Sequence, residues 1–179
     1  MRLILAWAQR GLFASAILML GYCGFVVTDA WMFQHRAVPV AGSLPPAIGP
    51  DGLIGRIDIP RMGVSVVVVE GTGESALRRA AGHITGTGLP GEPGNIGIAG
   101  HRDTFFRPLR NIQRNDIITL TTTRGQFRYR VVSMEVVSPH DVAVLNPDGN
   151  EILTLVTCYP FYFIGSAPNR FIVRAERVV

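Results

Sequence analysis

From Gly11 to Val27 the chain reads GLFASAILMLGYCGFVV without a single charged residue, close to the ~20 apolar residues that a bilayer-spanning helix needs. Leu3 to Trp7 carries the apolar character back across Gln9 and Arg10. Arg2 and Arg10 precede the run and Asp29 follows it, so the positive-inside rule predicts a cytoplasmic N-terminus and a single pass, with everything after the run outside. A cleaved signal peptide is the competing reading, since Ala14, Ser15 and Ala16 are small. The apolar core nevertheless continues to Val27 with no small-x-small pattern after it. An uncleaved anchor over residues 1–30 is therefore expected.

Residues 31–52 contain the stretch AVPVAGSLPPAIGPDG (Ala37 to Gly52), which is rich in Pro, Ala and Gly and lacks apolar periodicity. It predicts a semi-extended tether. Beyond it, over residues 53–179, short β-type runs alternate with turn residues: Leu53 to Ile59, Val64 to Val69, Asn95 to Ala99, Ile117 to Thr122, Phe127 to Val137, Ile152 to Thr157 and Phe171 to Val178. Such spacing predicts a mostly β domain, a compact barrel or sandwich. Helical signals are short: Glu74 to Ala81, with Glu74 favouring its N-terminal end, and Asp141 to Leu145. The glycines of GHITGTGLPGEPGNIGIAGH (Gly82 to His101) lack the strand, GxGxxG and helix order of a dinucleotide site and predict long turns.

All 17 basic residues are Arg, since the sequence contains no Lys, and they are scattered from Arg2 to Arg177. No basic patch emerges, and nucleic acid is not an expected partner. Without Lys the chain offers no side-chain amine as an acyl acceptor. Its two cysteines differ in setting: Cys23 lies in the apolar run and Cys158 follows a polar, Thr-containing one. A disulfide between them is not expected, which leaves a free thiol at Cys158.

Cys158 closes the run Glu151-Ile-Leu-Thr-Leu-Val-Thr157, just before Tyr159-Pro160. Taken alone, a lone Cys is more often a small buried hydrophobe than a nucleophile, so partners decide its role. Arg170 follows an eleven-residue loop, Tyr159 to Asn169, and opens the next run. If the two runs pair antiparallel, thiol and guanidinium become neighbours, and a cation there lowers a thiol pKa and steadies an oxyanion. His101 ends the run Asn95-Ile-Gly-Ile-Ala-Gly-His and is the candidate acid/base. Asp103, two residues on, is a candidate to orient its ring. Cys with His points to acyl transfer through a thioester. The two distant cysteines and four histidines without an i, i+4 pair make no zinc set, and neither metal nor cofactor is expected.

Thr154-Leu155-Val156-Thr157-Cys158 resembles the TLxTC signature of sortases, with Arg170 at the usual distance downstream. The block GNIGIAGHRDTFFRPL (Gly94 to Leu109) is similar to the sortase His block, and the segment from Gly82 onward resembles class D and related sortases. The resemblance runs from about Leu53 to the C-terminus. It implies an eight-stranded β-barrel with short helices behind one transmembrane helix. It also implies a membrane-side cysteine transpeptidase in which Cys158 cleaves an LPxTG-like sorting motif of a secreted protein and an amine acceptor, from the cell wall or another surface component, resolves the thioester. His101 would then act as general acid and base, Arg170 as oxyanion stabiliser, with Thr157, Asp103 and His83 in support. No acidic cluster justifies carrying over the calcium site of some sortases. The Lys-free, Arg-rich composition resembles that of a high-GC bacterium. Two rivals are an L,D-transpeptidase-like cell-wall enzyme, from whose S-x-G-C motif Val156-Thr157-Cys158 departs, and a catalytically idle membrane-tethered binding module.

Overall fold

The computed structural model of the protein describes residues 2–35, 48–147 and 149–178. Helix α1 (Arg2–Gln34) is about 50 Å long at 1.5 Å per residue. Leu12, Phe13, Ile17, Leu20 and Phe25 are all exposed along it, as an apolar surrounding requires of a helix that is hydrophobic all round. It is long and apolar enough to cross a membrane, its most apolar stretch reaching a mean hydropathy of 1.9. Residues 31–34 continue this helix. Of the expected tether, residues 36–47 lie outside the described residues.

The rest is built on eight strands: β1 (Leu53–Ile59), β2 (Val64–Glu70), β3 (Ala81–His83), β4 (Gly94–Gly100), β5 (Ile117–Thr122), β6 (Gly125–Val137), β7 (Glu151–Tyr159) and β8 (Asn169–Val178). They close into a barrel in the order β1-β2-β3-β4-β7-β8-β6-β5, with β5 returning to β1. The pairs β2–β3 and β4–β7 are parallel and the other pairs are antiparallel. A short helix α2 (Glu74–Arg79) and a 3-10 turn at Ala143–Leu145 stand where helical signals were expected. The three-residue β3, inside the stretch expected to be turn, is an addition.

Alternation along the strands fills the barrel. Ile57, Ile59, Val66, Val68, Ile96, Ile98, Leu120, Leu153, Leu155 and Val173 belong to one buried cluster, as the interior of an eight-stranded barrel is packed with side chains. Arg61, in the 3-10 turn after β1, donates from Nη2 to Asp116 Oδ2 at 2.6 Å and ties that turn to the start of β5. This guanidinium hydrogen bond, ahead of the backbone N–H of Gln113, holds the buried Asp116 carboxyl below its usual range. Burial, with a hydrogen bond from its hydroxyl to Glu151 Oε1 at 2.5 Å, pushes the Tyr129 phenol up.

The end of α1 docks on the barrel. Phe33 is buried against Val67, Val69 and Ala80, and the Gln34 side chain donates to Arg79 O at 2.6 Å while accepting from the Val67 N–H at 2.9 Å. Pairing of β2 with β3 starts only at Val68, so Gln34 satisfies a backbone donor at the point where the ladder has not begun.

Candidate active site

Leu153 and Leu155 on β7, Ile96 and Ile98 on β4, and Val173 and Ala175 on β8 fill the barrel. The intervening residues of each strand face outward. On this outer face Thr154 donates to Asn95 Oδ1 at 2.7 Å, and Asn95 Nδ2 donates to Val144 O at 2.9 Å. The β6–β7 connection is thereby pinned over the sheet. Gly97 belongs to the same face, and a Cβ there would come within 3.0 Å of Leu145 Cδ2 and 3.2 Å of Ile84 Cδ1. The absence of a side chain lets the two flanking connections close in.

Cys158 and Arg170 lie at the end of this face. Strand β7 runs one residue past Cys158 and β8 begins one residue before Arg170, and the two are direct partners in the antiparallel register. The pairing expected from sequence is present. Strand β4 contributes the third group: Gly100 is the register partner of Thr157, so His101 follows β4 at the level where Cys158 follows Thr157. The buried Thr157 hydroxyl donates to Gly100 O at 2.8 Å, fastening the two strands immediately before both residues. Cys158, His101 and Arg170 are each partly exposed. Arg170 Nη1 donates to Asn169 O at 3.0 Å and to Ala167 O at 3.3 Å, which keeps the guanidinium at the base of the β7–β8 loop.

The supporting candidates separate. Asp103 is exposed in the turn after His101, where it lines a cleft of about 450 Å³ with Arg102, Arg107 and the segment Phe161 to Gly165. No hydrogen bond joins it to His101 among the described residues. His83 is buried in β3, its Nδ1 bonded to Glu70 Oε2 at 2.7 Å and its Nε2 to Gly88 O at 2.9 Å and to Thr87 Oγ1 at 3.0 Å. Both ring nitrogens are thus engaged and neither is free for a substrate. His83 braces the β3–β4 connection.

Arg102 is the residue the sequence reading passed over. It donates from Nη1 to Pro160 O at 3.0 Å and from Nη2 to Gly165 O at 2.8 Å, joining the His101 turn to the loop after Cys158. Its position beside His101 was the available signal. Among the described residues no three of His, Cys, Asp or Glu stand together to hold a metal ion.

The closed eight-stranded barrel that carries the thiol, the imidazole and the guanidinium also has a family match. The sortase-domain model covers residues 57–178. This chain belongs to the sortase family. Among similar curated proteins, Sortase D of Bacillus subtilis is 35% identical over 69% of this chain and 63% of its own length. This sortase therefore spans just under two thirds of that relative. A Clostridium perfringens Sortase D5 transpeptidase structure is 36% identical and superposes with a TM-score of 0.65 over 72% of this chain and 80% of the other. Sortase A from Corynebacterium diphtheriae is 30% identical with a TM-score of 0.69 over 84% and 74% of the two chains.

Proposed function

We propose that the protein is a membrane-anchored cysteine transpeptidase that cleaves an LPxTG-like sorting motif in secreted proteins and passes the acyl group to an amine. The observation that carries this reading is the register pairing of Cys158 with Arg170, with His101 one step beyond the partner of Thr157.

The chemistry follows from the three groups. The Cys158 thiolate attacks the scissile carbonyl, the carbonyl π electrons move to oxygen, and the Arg170 guanidinium stabilises the resulting oxyanion. As the oxyanion collapses, the C–N bond breaks and the His101 imidazolium gives its proton to the departing amine. A thioester on Cys158 remains. An incoming amine loses its proton to the now neutral His101, forms the new amide and expels the thiolate. Thr157 contributes by holding β7 to β4, which limits relative movement of thiol and imidazole.

Helix α1 supplies the anchor, with the N-terminus in the cytoplasm and the barrel outside, facing substrates that emerge from the membrane. Its partners on this reading are a secreted protein with a C-terminal sorting signal and an amine-bearing cell-wall or surface component. The test is a ligation assay: incubation with LPxTG-like peptides and a peptide amine should yield an amine-dependent ligated product, lost in Cys158→Ala. Hydrolysis without ligation at any amine concentration would exclude transpeptidation, and no turnover of any peptide by folded protein would exclude the enzyme.

A further inference from the structure

The β7–β8 loop, Pro160 to Pro168, lies between the strand ends that carry Cys158 and Arg170, and most of its tip is exposed. Tyr162 is 75% and Ile164 97% exposed, and Phe163 is exposed as well. Phe161 packs on the barrel core and against Phe171, but the exposed tip beyond it has little apolar burial to oppose its conformational entropy. Polar contacts from outside the loop help hold that tip. Arg102 grips two carbonyls five residues apart, Pro160 O and Gly165 O, and its guanidinium lies 5.9 Å from the Phe163 ring centroid. Arg110 adds a second contact, 5.4 Å from the Tyr162 ring.

We propose that Arg102 is a positioning residue that holds the β7–β8 loop against the His101 turn. It thereby fixes the wall of the 450 Å³ cleft between the His101 turn and the loop and the relation between His101 and the strand ends bearing Cys158 and Arg170. The geometry requires arginine: its planar fork presents several N–H donors in fixed directions and satisfies two carbonyls at once. A lysine ammonium is a point charge that reaches one carbonyl and leaves the other end of the loop free. Because Arg102 follows His101 directly, the tie is short, and loosening the loop also loosens the histidine turn. Arg102 acts through the loop and has no part in the bond-making steps.

This inference deepens the transpeptidase reading, and one of its measurements is independent of that reading. In the full-length protein in detergent micelles, Arg102→Ala is expected to speed amide hydrogen exchange across residues 161–168, with Arg102→Lys intermediate. Peptide kcat/KM is expected to fall roughly 10–100-fold, the scale on which small misplacement of reacting groups acts. Alkylation of Cys158 by iodoacetamide, which needs no loop, stays within about twofold. Exchange in the loop equal to wild type overturns the proposal, and so does an alkylation rate that falls as far as kcat/KM. If the wild-type protein turns over no peptide, the transpeptidase reading fails while loop exchange still decides the role of Arg102. Should Arg102→Ala not fold, Arg102→Gln read by the same exchange experiment decides it.

Discussion

Cys158 on β7 and Arg170 on β8 face each other as direct antiparallel partners. Side chains of such partners leave the backbone about 4.5–5.5 Å apart, so thiol and guanidinium start from neighbouring positions. Replacing Arg170 by Ala is expected to lower kcat by about 10²–10³, the usual effect of removing one oxyanion donor, with the melting temperature nearly unchanged. Lysine at this position should restore only part of the rate, because it lacks the planar fork. Steady-state kinetics alongside thermal melts of both variants check this, and an unimpaired Arg170→Ala would remove the residue from the mechanism.

Two histidines in resembling sequence blocks should respond in opposite ways. His101→Ala is expected to abolish turnover while leaving the fold intact. His83→Ala removes a buried ring with both nitrogens bonded, leaving polar partners unpaired at a cost of about 1–3 kcal/mol. Its signature is a lower melting temperature with turnover per folded molecule largely preserved. Thermal melts paired with active-site titration distinguish the two. Equal loss of turnover with equal stability would mean that His83 takes part in catalysis.

Gly100 connects packing to the site. A Cβ there would lie 2.7 Å from Cδ2 of Phe106, a fully buried ring with no room to withdraw. Gly100→Ala is expected to destabilise by about 1–3 kcal/mol through overpacking. It should also disturb the hydrogen bond from Thr157 and lower kcat by displacing His101. A variant as stable and active as wild type would show that this junction yields.

Acid sensitivity should trace partly to Arg61 and Asp116. Arg61 holds the Asp116 carboxyl below its ordinary value. A depressed carboxylate contributes stability that is present above its unfolded pKa of ~3.9 and is lost as pH falls through the folded value. Arg61→Gln should therefore melt lower than wild type near neutrality, with the difference shrinking as pH drops below about 4. Melting curves from pH 7 to 3 test this, and a constant difference would separate the pair from acid stability.

Seven strands were readable because each is an apolar or alternating run bounded by turn residues, and Ile117–Thr122 coincides with its expected span. Strand β3 was hidden. Ala81-Gly82-His83 is three residues long, buried throughout and centred on a glycine, so it has neither length nor alternation. The parallel β4–β7 pairing was equally out of reach, since it joins segments more than fifty residues apart and is decided by closure of the whole barrel. Cys158 and Arg170 were legible because only a loop separates them. The tie between Arg102 and the β7–β8 loop depends on tertiary placement, and beyond its position beside His101 an arginine among 17 carries no local mark of it.

The central claim is that Cys158 carries an acyl group between two amines. Intact-protein and peptide-mapping mass spectrometry, after brief incubation with LPxTG-like peptides and no added amine, tests it most directly. The account predicts a peptide acyl adduct on Cys158 that disappears when an amine is added and never forms in Cys158→Ala. A folded protein that forms no adduct with any peptide, or forms it elsewhere and equally in Cys158→Ala, would contradict it.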